Sequence, residues 1–164
     1  MIYTAHSFSE LPSEIKKVIK TLPLSVEMRQ NWLVSSETIV DNLDAFYYVE
    51  ENNGVIDTFI VSNIIEKLDC SLFIGDESVV KQIVSRREVN PDFYKYKVLF
   101  IGAPMSMGPG AYLKSGILFQ DVFDRFKEYV FNHKNIDGIF FTNSSVNNER
   151  IQSEYLMSFP YYPN

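Results

Sequence analysis

Residues 95–116 read KYKVLFIGAPMSMGPGAYLKSG, and their reading decides the fold. The run 95–101 alternates and clusters aromatic and aliphatic side chains as a strand buried on both faces does, and it ends on Gly102. Gly102-Ala103-Pro104-Met105-Ser106-Met107-Gly108-Pro109-Gly110 follows, too rich in glycine and proline to continue a strand or start a helix. Beyond it, Phe119, Val122, Phe123, Phe126 and Val130 fall at i, i+3, i+4, i+7 and i+11, which predicts one apolar face of a helix over residues 115–133. The order strand, glycine-rich loop, helix leaves backbone N–H groups unpaired near the positive end of a helix dipole. Such a junction favours an anion, and Lys114 is placed to add charge.

Working outward, Asn53-Gly54 separates aromatic and β-branched runs at 44–48 and 55–62, the signature of a tight antiparallel hairpin. Residues 70–74 are expected to form a third strand. Residues 77–87 are expected to form a helix whose stripe of Val79, Val80, Ile83 and Val84 packs on the sheet. Upstream, Ser13 is read as the cap of a helix carrying Ile15, Val18, Ile19 and Leu22 and ended by Pro23, with a second short helix at 25–34. A strand at 136–142 and a short helix at 147–157 complete the reading. The expected architecture is one α/β (α+β) domain over 1–164, with a mixed, mostly antiparallel sheet flanked by helices.

Composition narrows the function classes. A chain of 164 residues with 46% hydrophobic positions builds one sizeable core. A net charge of −6 with 15 basic residues lacks the concentrated positive field that nucleic acid requires. One cysteine, Cys70, excludes an intrachain disulfide, and with only His6 and His133 the chain offers little to a transition metal. No apolar run has membrane-spanning length, and the free thiol fits a reducing, cytoplasmic setting. Cys70 reads as a small buried side chain, His133 as a helix C-terminal partner, and Glu50-Glu51 and Arg86-Arg87 as solvated charges.

The loop meets neither the Walker spacing nor the dinucleotide spacing of glycines, and no acidic residue ends the next strand where a ribose would need one. Met105-Ser106-Met107-Gly108-Pro109-Gly110 resembles the cofactor loop of the GNAT acyltransferase superfamily, Gln/Arg-x-x-Gly-x-Gly/Ala, with Met105 at the polar position. Asn148, followed seven residues on by Tyr155 and then by Phe159, resembles the family's second landmark. Within the superfamily the loop looks more like the peptidoglycan-biosynthesis and aminoacyl-transfer branch. The resemblance implies acyl-CoA-dependent transfer of an acyl group to an amine, with acetyl-CoA or another acyl-CoA as cofactor and a small-molecule or peptide amine as acceptor. It implies that Gly102, Ala103, Met107, Gly108, Gly110, Ala111 and Lys114 line the cofactor, that Asn148 holds the pantetheine arm and that Tyr155 protonates the departing thiolate. It also implies oxyanion donors at residues 101–103. The alternative is a non-catalytic GNAT-like domain acting in assembly or regulation. The family's last two strands have no counterpart after Tyr155, so the edge at 136–142 is expected to be covered, for example by a second copy in a homodimer.

Overall fold

The computed structural model describes residues 1–104 and 110–141. The chain forms β1 (Ile2–Ala5), α1 (Ser13–Ile19), α2 (Gln30–Ile39), β2 (Asp44–Asn52), β3 (Val55–Asp69), α3 (Glu77–Arg87), β4 (Lys95–Ile101), β5 (Ala111–Leu113), α4 (Phe119–Lys134) and β6 (Gly138–Phe141). The sheet runs β1-β2-β3-β4-β6, with β5 also paired to β3. Every pairing is antiparallel except β4 with β6. Helices cover both faces, so the α+β architecture expected from the sequence is present.

The hairpin forms where its turn residues demand it. Asn52 pairs with Val55, and Asn53 and Gly54 adopt φ of 51° and 80°, the left-handed pair that matches the twist of the flanking strands. β4 lies between β3 and β6, an interior position consistent with its apolar run. Strand alternation then builds two cores. Ala45, Tyr47, Val49, Phe59 and Val61 face Ile15, Ile19, Met28 and Leu33 of the α1–α2 region. Phe46, Tyr48, Ile60, Leu99 and Ile101 face Val122, Phe126 and Val130 of α4. Each of these large side chains contributes roughly 1.5–3 kcal/mol by leaving water.

Several expectations are corrected. Residues 70–74 are no strand: β3 runs on to Asp69, whose Oδ1 accepts from the Ser71 backbone amide at 2.9 Å and turns Cys70–Phe73 into a 3-10 turn. A bulge between Ile65 and Leu68 interrupts the alternation and hid the strand's length. α3 does not lay its stripe on the sheet, since Ile83 is buried while Val79 and Val84 are 39% and 53% exposed. Ser13 is the first helical residue of α1 and caps nothing; Pro12 precedes it, at a position where proline's fixed φ suits helix entry. The segment 25–34 divides into a 3-10 turn at Val26–Met28 and the start of α2. α4 begins at Phe119, four residues later than the apolar spacing suggested, because Gly116 at φ 89° and the Lys114–Ile117 turn precede it. The expected helix at 147–157 lies outside the described residues.

Candidate functional site

The glycine-rich segment does not lead from β4 into α4. It leaves the sheet at Gly102 and re-enters at Gly110, so β4 and β5 are two parts of one line of chain along the same edge of β3. Ser62 pairs with Ile101, Ile60 pairs with Ala111, and Val61 stands at the break. There the Gly102 amide donates to the Val61 carbonyl at 3.0 Å, and the Val61 amide donates to the Gly110 carbonyl at 2.7 Å. Both ends of the excursion are thereby clamped to one residue. Gly110 is required by crowding: a Cβ there would lie 2.5 Å from Gly102 Cα and 2.6 Å from the Val61 oxygen. α2 adds a third anchor, since Trp32 Nε1 donates to the Pro104 carbonyl at 2.9 Å.

This geometry revises the roles expected of the described residues. The Gly102 amide is spent on Val61, so it is no oxyanion donor. Ala103 is 4% exposed and packs in the α1–α2 core, which leaves it almost no surface for a ligand. Gly110 serves the close approach of two backbone segments rather than of a phosphate. Met107, Gly108, Asn148 and Tyr155 lie outside the described residues.

Ala111 and Lys114 occupy more open ground. The bonds from Val61 to Gly110 and from the Lys114 amide to the Asp57 carbonyl, 2.9 Å, establish which residues of β5 face β3. They are the even-numbered ones, so Ala111 and Leu113 turn their N–H and C=O groups to the outer edge. Among the described residues β5 pairs only with β3. The next residues, 114–118, form the approach to α4, where Ser115 and Gly116 are exposed and a Cβ on Gly116 would meet open space. The amides of the first turn of α4 have no acceptor within their own helix. Lys114 Nζ lies 3.3 Å from Asp57 Oδ1, which offsets its charge, and Asp121 occupies the first turn of α4.

The carboxylates of the hairpin are not the solvated tip expected of them. Glu50 accepts from Arg125 Nε at 2.9 Å and Nη2 at 2.7 Å and from the Tyr48 hydroxyl at 2.7 Å, fastening α4 to β2. Burial works against its charge, but the hydrogen bonds from Arg125 and Tyr48 prevail and hold its carboxyl below the usual range. Glu51 is 7% exposed and accepts from the Gly54 amide, a second tie across the turn. On the α1–α2 face, Glu37 accepts from the Tyr47 hydroxyl and from the Phe8 amide. Burial, and then that carboxylate, push the Tyr47 hydroxyl well above its ordinary range.

Cys70 is buried, which raises its thiol and leaves it unreactive. His133 holds the Tyr129 carbonyl through Nδ1 at 2.8 Å and stacks on the Tyr129 ring, a role at the end of α4 as expected. Arg87 is far from a free surface charge: its Nη1 and Nη2 reach Asp69 at 2.7 and 2.6 Å, pinning α3 to the end of β3. Among the described residues no three histidine, cysteine or acidic side chains gather as a metal site, and no helix is long and apolar enough to cross a membrane.

No family model, curated protein or solved structure matches the chain.

Proposed function

We propose that the chain is an acyl-CoA-dependent N-acyltransferase of GNAT type, with the cofactor lying along the outer edge of β5 and its pyrophosphate at the approach to α4. The observation that carries this reading is the outward-facing backbone of Ala111 and Leu113, adjoining the exposed residues Ser115 and Gly116. An extended pantetheine arm carries two amides, and a strand edge whose outward donors and acceptors have no partner among the described residues is a surface that such an arm pairs with. The helix start just beyond suits the pyrophosphate, where backbone N–H groups and the dipole act together. The anion site therefore shifts from Gly108 and Gly110 to residues 115–119. The thioester end then reaches the break at Val61, beside the carboxyl ends of the parallel strands β4 and β6, where ligands of such strands collect.

In the reaction, the acceptor amine attacks the thioester carbonyl carbon. A C–N bond forms, the C–S bond breaks, the amine gives up a proton and the departing sulfur takes one. The resemblance assigns the last proton to Tyr155 and the hold on the arm to Asn148. The acceptor would be a small-molecule or peptide amine, and a second copy of the chain would meet the edge of the sheet at β6, which pairs only with β4 among the described residues.

The test is a calorimetric titration of coenzyme A and acetyl-CoA into the wild-type chain and into Ser115→Glu. Ser115 is exposed, so the added charge leaves the fold intact while repelling a pyrophosphate. Saturable binding that weakens at least about tenfold in Ser115→Glu with unchanged Tm is expected, since charge-assisted hydrogen bonds are of that order. Absence of binding to the wild type, or equal affinity in the variant, would overturn the proposal.

A further inference from the structure

On the face of the sheet opposite α4, a cleft of about 410 Å³ opens between the end of α1 and the beginning of α2. Its apolar lining comes from Ile19, Leu22 and Leu24, and its cations are Lys20 and Arg29. Eight ion pairs join charges elsewhere among the described residues, and neither Lys20 nor Arg29 takes part in one. Arg29 is instead oriented by its own chain, its Nε donating to the Leu24 carbonyl at 3.3 Å, which leaves both Nη groups for another acceptor. In a chain of net charge −6, the lining of this cleft carries two cations and no carboxylate.

A second observation points to a ligand. Among the described residues, the buried side-chain oxygen of Gln30, another residue of the cleft, has no hydrogen-bond partner, and neither does the buried Ser25 hydroxyl in the connection leading to it. Buried polar atoms without partners are uncommon because each costs the full loss of its hydration. An acceptor oxygen in that state lacks an N–H or O–H donor.

We infer that this cleft binds the carboxyl end of an apolar amino acid or short peptide. The carboxylate meets Arg29 and Lys20, the adjoining N–H donates to Gln30 Oε1 once that side chain turns toward the cleft, and the apolar side chain lies on Ile19, Leu22 and Leu24. Arg29 is the principal contact, because a guanidinium can hold a carboxylate through two parallel hydrogen bonds. The volume suits a ligand of dipeptide size, within the range of small-molecule sites. This inference does not rest on the acyl-transfer reading, since it involves other residues on the other face of the sheet.

The experiment is an NMR titration of the full chain with glycyl-leucine and with glycyl-leucinamide, which lacks the carboxylate. It is repeated on Lys20→Gln and Arg29→Gln, with Tm recorded for each and coenzyme A binding measured in parallel. The expected result is saturable shifts centred on the amides of residues 19–31 for glycyl-leucine. Affinity should fall about tenfold or more for the amide and for Arg29→Gln, and less for Lys20→Gln. Lys20 is exposed and its side chain makes no hydrogen bond to the described residues, so its variant is informative even where Arg29→Gln loosens the Leu24 contact. Equal affinity for the two peptides, shifts centred elsewhere, or no saturable binding would overturn the inference. Retention of coenzyme A binding by a variant that has lost the peptide would separate this site from the one along β5.

Discussion

At the scale of single residues, Gly110 is crowded by backbone where sequence alone suggests room for a phosphate, while Gly116 faces open space. Both stand in a glycine-rich stretch, and a phosphate site makes the same demand for small residues as two backbones in contact. Only the pairing of Gly110 with Val61 and Gly102 separates the two causes, and that pairing joins residues nearly fifty positions apart. Gly110→Ala should therefore cost about 3 kcal/mol or more, because the atoms it would strike are backbone and cannot swing aside. Gly116→Ala has open space and meets only the cost of a positive φ, about 1–2 kcal/mol. Equilibrium urea denaturation of the two variants tests this order. Equal losses, or a larger one for Gly116→Ala, would mean that the strand break is not clamped as described. Glu50 and Glu51 teach the same lesson: a pair of acids beside Asn-Gly has the composition of a solvated tip, and only Arg125, 75 positions away, explains why Glu50 is drawn inward.

At the scale of elements, what was legible is what local pattern determines. The Asn53-Gly54 hairpin, the interior strand at 95–101 and the face of α4 formed by Val122, Phe123, Phe126 and Val130 follow from turn chemistry and from periods of two and 3.6. β5 was not legible, because three residues carry no period and owe their conformation to β3. The docking of α3 was not legible either. Its apolar stripe suggested burial on the sheet, whereas its hold is the bidentate contact of Arg87 with Asp69. The Arg87 hydrogen bonds, then those of Ser71, keep the Asp69 carboxyl far below the usual carboxylate range. A carboxyl depressed in the folded state contributes stability above its unfolded value, about 3.9, and loses it as pH falls from there toward the folded value. Amide exchange followed from pH 6 downward should therefore show α3 losing protection below about pH 4. Asp69→Asn should expose α3 already at neutral pH and flatten that dependence. Protection of α3 that is equal in wild type and variant throughout would show that the pair does not hold the helix.

At the scale of the whole molecule, the long strand β3 organises everything else. It pairs with β2 along one edge, and along the other with β4 and β5 in succession, so the interruption opposite Val61 lies at the centre of the sheet. α4 covers one face and returns the chain to β6, parallel to β4, while α1 and α2 cover the other. The mixed α+β class expected from the sequence agrees with this plan, while the strand expected at 70–74 and the unforeseen β5 depart from the expected order. The sequence pattern predicts that the glycine-rich segment leads into a helix, whereas the chain returns at Gly110 to a resumed strand, β5. The central claim is now that an acyl-CoA lies along the outer edge of β5 with its pyrophosphate at the start of α4. Hydrogen exchange of the full chain with and without acetyl-CoA tests it most directly. The account predicts that the cofactor slows exchange at the amides of Ala111 and Leu113 and at residues 115–121, with Tyr112 unchanged because its amide already faces β3. Unaltered exchange across residues 111–121 at saturating acetyl-CoA, or protection confined to other elements, would contradict it.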